Sequence, residues 1–264
     1  MNSLKKLTDM KDIIVNKLKE IEFNEGIQML FACETGSRAW GFPSPDSDYD
    51  ARFIYKHDLD WYLSLKDRKD SIQIPIEGDL DITGWELKKC MSLMYKSNCA
   101  LFERLQSRII YMSKDGFADI MMGLASKCFS AKAAMHHYHS MSLKYVEQCM
   151  KHNNVKLKSY FYAIRTTMAA SWIRIKGSVA PIYMPDMYAV VDAQIVTAIE
   201  ELIHLKSKKN ESYMHVRNNV IDEYLQDQIQ TNENIKDQLS VGKRNVSLLD
   251  EFFISEIKSA GLKA

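Results

Sequence analysis

Two periods of apolar residues run along this chain, and the change from one to the other falls near residues 113–116. Leu4, Leu7, Ile14, Leu18 and Ile21 recur at helical spacing and predict an opening helix. The apolar run over 27–33 predicts a strand that leads into a Gly-Ser turn and a short helix or loop, which Pro43 and Pro45 end. A second strand follows over 49–56, then a short helical or irregular insert at Trp61, Tyr62 and Leu63, then strands near 72–76 and 79–85. Leu87, Met91, Met94 and Leu101 are broadly periodic and predict one helix from about Glu86 to Gln106, and Ile109-Ile110-Tyr111 reads as a last short strand. Beyond Gly116 everything reads helical. The predicted segments are Ala131–Met150, Val155–Lys176 stopped by Gly177, Ala189–Leu205 after a loop marked by Pro181 and Pro185, Glu211–Gln230, and one or two helices over Asn232–Lys258. The pattern describes an α+β chain: a small mixed β-sheet domain over residues 1–114, followed by an all-helical C-terminal domain over 115–264.

Composition narrows this picture only a little. A chain of 264 residues with 46% hydrophobic and 26% charged residues is ordinary for a globular protein. A formal net charge of +1 argues neither for nor against a nucleic-acid partner, so only local patches bear on that. The first 22 or so residues are charged and amphipathic rather than a basic start with an apolar centre, and no apolar run is long enough to span a bilayer; the expectation is a cytoplasmic protein with no membrane partner. Cys33, Cys90, Cys99, Cys128 and Cys149 are odd in number with no C-x-x-C pair, which fits thiols in a reducing compartment rather than a disulfide framework or zinc site.

The candidate chemistry sits in Gly36-Ser37-Arg38-Ala39-Trp40-Gly41 and, a short loop later, Ser47-Asp48-Tyr49-Asp50. A glycine-serine turn lets backbone N–H groups approach phosphate oxygens, and Ser37 adds a hydroxyl donor. Asp48 and Asp50 are two apart, so on a strand their carboxylates share a face. Asp79 and Asp81 alternate with Leu80 and Ile82 on a later strand and supply a third carboxylate. Carboxylates so grouped repel one another without a cation; Mg²⁺ is the natural occupant, and a two-metal cage supports in-line attack of a hydroxyl on a phosphoryl group.

Gly-Ser, Asp-x-Asp and a later strand Asp together resemble the polymerase-beta-like nucleotidyltransferase superfamily. Within it, Phe31–Phe42, Ser47–Tyr55, Leu80–Leu87, Lys96-Ser97-Asn98, Lys158–Arg165 and Trp172 resemble the RNA-ligase-associated (RlaP-like) group of RNA-repair nucleotidyltransferases, over nearly the whole chain. The resemblance implies transfer of a nucleoside monophosphate from an NTP to a hydroxyl with release of pyrophosphate. Asp48, Asp50 and Asp81 are then the catalytic and metal-binding residues for two Mg²⁺ ions (or Mn²⁺), with Asp81 ahead of Asp79, and Gly36 and Ser37 the phosphate turn. An RNA 3′ end, of tRNA or broken RNA, is the acceptor that the group's label implies. A protein hydroxyl, a small molecule, or NTP binding without turnover are the alternatives. Arg104 departs from the group's pattern, standing where a large apolar residue is expected.

Further candidates are weaker. Arg38 follows the turn and is placed to contact phosphate. Lys158, Tyr162 and Arg165 lie at i, i+4 and i+7 and share one helix face, which fits contact with triphosphate or base. Of His136, His137 and His139, only the first and last are spaced to share a metal, and all three read as surface or cleft-lining side chains. Lys206, Lys208 and Lys209 read as a solvated loop.

Overall fold

The computed structural model describes residues 2–259, with side chains from Met10 onward, so the predicted packing positions Leu4 and Leu7 lie outside the described residues. Helix α1 (Asn2–Glu25) buries Ile14, Leu18 and Ile21 along one stripe. That stripe covers one face of a five-stranded sheet built from β1 (Gln28–Glu34), β2 (Tyr49–Lys56), β3 (Ser71–Gln73), β4 (Leu80–Glu86) and β5 (Ile110–Ser113). The spatial order is β3-β4-β2-β1-β5. β2 and β4 run parallel and every other pair is antiparallel, so the sheet is mixed, as the strand pattern implied. The parallel pair needs a crossover, supplied by the short helix α3 (Leu59–Leu63) and edge strand β3.

Alternation along the central strands sorts their side chains. Ala51, Phe53, Tyr55, Leu80 and Ile82 pack toward α1. Asp50, Arg52 and Ile54 on β2, and Asp81, Thr83 and Trp85 on β4, turn to the other face. That second face is covered by α4 (Leu87–Tyr95), α5 (Cys99–Leu105), α6 (Phe117–Cys128) and α11 (Val246–Lys258). Its core therefore joins Phe31, Ile54 and Leu87 to Met121, Leu124 and Leu249, drawing on sequence from both sides of residue 114.

The single helix expected over 86–106 is two helices. Ser97 takes a positive φ of 55°, and the Asn98 side chain caps α5 by accepting from the Leu101 N–H. The break is used: the Ser97 hydroxyl donates to the Cys128 carbonyl and accepts from the Ser130 N–H, pinning the joint between α6 and the next helix. Arg104 on α5 is buried, with its guanidinium 3.2 Å from the Trp85 ring centroid. Burial lowers its pKa to about 10. It fills with a stacked cation the place where a large apolar side chain was expected.

The helical part is organised around α8 (Leu157–Lys176), which packs against α7 (Ala131–Met150), α10 (Asn219–Ile235) and a 3-10 turn (Met184–Val190). Ala163, Ala169, Ala170 and Ser171 keep α8 thin enough for close approach. Gly177 ends it in the left-handed conformation, as its C-cap position predicted. The reading of this half as purely helical is corrected by β6 (Asn154–Lys156) and β7 (Met214–Val216), an antiparallel pair. Three residues are too few for a period of two to register. α9 (Ala193–Lys206) completes the layer.

All five cysteines are free and buried. Burial pushes the Cys33 thiol up to about 12 and Cys149 up to about 11, and raises Cys90 and Cys99 further, from an ordinary value of 9.0. An unfolded chain would ionise these thiols first, so stability is fully present below pH 9 and is lost as pH rises toward the folded values. Each thiol contributes a fall of about 1.4 kcal/mol per pH unit in that window. Lys206, pulled down to about 8 by burial, works in the opposite sense, as do the buried cations Lys56 and Arg104, but the four thiols outnumber them. Urea midpoints in reductant should drop steeply between pH 8.5 and pH 10.5; a flat profile would refute this account.

Candidate active site

β1 ends at Glu34, and the chain turns through Thr35 into α2 (Gly36–Trp40). The Thr35 N–H and hydroxyl both donate to the Asp50 carbonyl, at 2.9 and 3.1 Å, which fastens the turn to β2. Gly36 has φ +64°, and a Cβ there would collide with Asp50 Oδ2. Only glycine lets the turn lie this close to the carboxylate.

Asp50 and Asp81 are register partners on the parallel strands β2 and β4, so their side chains stand side by side. Arg52, two residues along β2, spans them. Its Nη2 is 2.9 Å from Asp50 Oδ1 and 2.7 Å from Asp81 Oδ2, and its Nη1 donates to the Asp81 carbonyl at 2.9 Å. Asp48 is exposed just ahead of β2, and Asp79 is exposed just ahead of β4, its carbonyl accepting from the Tyr49 N–H. Burial raises the pKa of Asp50; Arg52 opposes the rise, and Asp81 and Asp48 add to it. Among the described residues, no three His, Cys, Asp or Glu side chains are grouped as a metal cage. The donors suit a hard cation all the same: carboxylate oxygens, two of them already sharing one cationic group.

Sequence reasoning missed Glu34. It is fully buried beneath the site, where Oε1 accepts from the Asp50 N–H at 2.8 Å and Oε2 accepts from the Tyr111 hydroxyl. Burial pushes its carboxyl up to about 7, against the pull of those two donors. Arg52 was legible in principle, since a residue two from Asp50 on a strand must share its face. Glu34 had no local signal.

The helical part reaches the turn through a polar chain. The Ser37 hydroxyl donates to Ser47 Oγ at 3.0 Å, Ser47 Oγ donates to Glu211 Oε1 at 2.9 Å, and Glu211 accepts from Lys158. Burial pulls the Lys158 pKa down, but the bond and charge of Glu211 outweigh it and the net shift is upward. Arg38 donates to the Ser47 and Asp48 carbonyls, at 2.6 and 3.0 Å, and lies over the Tyr49 ring, which orders the loop that carries Asp48. Lys206 is not part of a solvated loop: it is 1% exposed, its amine donating to Ser44 Oγ at 2.8 Å, while Lys208 stays exposed.

The face shared by Lys158, Tyr162 and Arg165 is divided in use. Lys158 points to the turn through Glu211. Tyr162 packs edge-on to Trp40 at 5.4 Å. Arg165 is buried and committed to Glu103 at 3.0 Å, with its guanidinium 4.6 Å from the Trp40 ring centroid, and makes no hydrogen bond to the Gly36-Ser37 turn among the described residues. The three histidines go separate ways. His136 meets Asp237, His139 is buried against Glu233, correcting its reading as a surface or cleft residue, and His137 is exposed beside Tyr138.

Among the described residues, no helix is long and apolar enough to cross a membrane. The chain is 35% identical over 242 residues to a Bacillus subtilis (strain 168) protein named "Uncharacterized protein YcgL", an alignment covering 90% of this chain and 92% of that protein. A crystal structure of a nucleotidyltransferase-like protein from Exiguobacterium sibiricum 255-15 aligns over 85% of this chain and 75% of that one, with 10% identity and a TM-score of 0.33. The family model described as "RlaP: RNA repair pathway DNA polymerase beta family" matches residues 10–255, which takes in the turn, all three aspartates and the helical part. The chain belongs to the RNA repair pathway DNA polymerase beta family.

Proposed function

We propose that this chain transfers a nucleoside monophosphate from an NTP to a hydroxyl, releasing pyrophosphate, with an RNA 3′ end as acceptor. The observation that carries the reading is the placement of Asp50 and Asp81 side by side at the head of β2 and β4, with the Gly36 turn packed against Asp50. Asp48 and Asp50 would hold two Mg²⁺ ions, or Mn²⁺, and Asp81 would complete the site on the acceptor side. Bound there, the metal lowers the pKa of the attacking hydroxyl and offsets charge on the triphosphate. The chain's own part is positional. Gly36 and Ser37 present the turn to the β- and γ-phosphates, Arg38 holds the loop bearing Asp48, and Glu34 fixes the backbone of Asp50 from below. Lys158 is linked to the turn through Glu211 and Ser47 and adds a cation that can leave Glu211 for phosphate.

Arg52 and a divalent cation would compete for the same two carboxylates. Arg52→Met should therefore tighten Mn²⁺ binding to the nucleotide-free protein about tenfold, read by electron paramagnetic resonance. Unchanged or weaker binding would show that Arg52 does not occupy metal-ligating oxygens.

The RNA acceptor follows the family's description. One observation favours a different acceptor: Asp79, exposed, stands two residues ahead of Asp81, and an acidic group there repels a polyanion that cations would attract. A protein hydroxyl or a small molecule is the second reading. Incubation with each α-labelled NTP, Mg²⁺ and pooled tRNA and short RNAs, beside an Asp48→Ala/Asp50→Ala control, decides between them. Label in RNA that requires the aspartates supports the first reading; label only on protein or on small molecules supports the second.

A further inference from the structure

Next to the catalytic turn lies a cavity of about 310 Å³ with aromatic walls. Trp40, Tyr145 and Tyr162 form those walls, and the cavity opens to solvent past Ala100 and His137. Tyr162 is edge-on to Trp40 at 85° and to Tyr145 at 63°, with centroids 5.4 and 5.2 Å apart, so the rings make a corner that offers π-faces instead of closing on itself. The corner is held rigidly. Glu103 accepts from Trp40 Nε1 at 3.2 Å and from the Tyr138 hydroxyl at 2.6 Å, and pairs with Arg165.

Arg165 lines the cavity with an unmet need. It is 3% exposed, and its Nε–H is buried with no partner among the described residues. A buried donor without an acceptor is rare and calls for explanation. A flat heteroaromatic ring carrying carbonyl or ring-nitrogen acceptors would stack on the walls, and a small shift of the Arg165 side chain would bring that shielded donor to an acceptor on the ring's edge.

Location supplies the identity of the ring. Trp40 ends the helix that Gly36 begins, about 6 Å along its axis, and Gly36 touches Asp50. Tyr162 lies one turn beyond Lys158 on α8, and Lys158 is linked through Glu211 and Ser47 to Ser37. The cavity thus begins about one helical turn from the phosphate turn, on both helices that flank it.

We propose that this cavity is the base-binding slot for the nucleoside triphosphate, with the base stacked against Tyr145, Tyr162 and Trp40. The proposal rests on the nucleotidyl-transfer reading for the identity of its ligand. Tyr145 touches neither the turn nor the aspartates, so it is the residue to vary.

Equilibrium dialysis of the full chain with each labelled NTP and Mg²⁺, with inorganic tripolyphosphate as competitor, tests it. Tyr145→Ala should weaken NTP binding about 10- to 100-fold, the range of one lost stacking contact, while leaving competition by tripolyphosphate unchanged. Tyr145→Phe keeps the ring and should bind like the wild type, which separates stacking from misfolding. Equal NTP binding by wild type and Tyr145→Ala overturns the slot and leaves nucleotidyl transfer standing. Ring-dependent binding without pyrophosphate release supports the slot and sinks the transfer reading. Absence of NTP binding by the wild type overturns the slot.

Discussion

Asp50→Asn is expected to lower pyrophosphate release by about a thousandfold or more, because the carboxylate charge that a metal requires is removed while shape is kept. Stability should behave in the opposite way. Burial raises the Asp50 pKa, so its ionised form costs the fold free energy at neutral pH, and the amide relieves that cost. Arg52 keeps Asp81 as a partner at 2.7 Å, so no buried cation is stranded. A variant that is dead in turnover yet melts at or above the wild-type temperature is the expected signature of a functional carboxylate held at the expense of stability. Pyrophosphate release within tenfold of wild type would remove Asp50 from the chemistry, whatever the melting temperature.

The largest stability effect is expected at Glu103. Its carboxylate is the counter-charge for buried Arg165 and the acceptor for Tyr138 and Trp40. Removing one partner of a buried ion pair costs far more than the pair was worth, since the remaining charge is left in a poor solvent. Glu103→Ala should therefore lose about 3–5 kcal/mol in urea unfolding. Glu103→Gln, which still accepts from Tyr138 but lacks the charge, should lose less. A drop below about 1 kcal/mol for the alanine variant would mean that Arg165 finds another partner or water once Glu103 is gone.

The parts of the site that were legible in the sequence are the parts made by residues close in the chain. The strand over 49–56 matches β2 end to end, and the helix over Ala131–Met150 matches α7, because both are long enough for their period to show. Gly36 and Asp50 were readable as a turn and a strand carboxylate; their contact was not, because it depends on β1 lying beside β2. Glu34, Glu103 and Glu211 were invisible for the same reason. Each looks like any surface glutamate until the partner, as many as 164 positions away, is known. The one-helix reading of 86–106 failed because the apolar period runs on across the break, while the polar trio Lys96-Ser97-Asn98 holds the capping signal that ends it.

The face of the sheet that carries Ile54 and Trp85 is sealed in part by α11, whose Leu249, Phe252 and Phe253 come from the last twentieth or so of the chain. Lys56, at the end of β2, is likewise buried by bonds to Glu256 and Ser259. During synthesis the strands emerge from the ribosome well before the helix that covers them. Until α11 follows, the nascent sheet therefore presents an open apolar patch and an unmet lysine, a state that calls for chaperone shelter or slow, reversible collapse. Stalling or proteolysis ahead of residue 246 would yield not a smaller working enzyme but an aggregation-prone product.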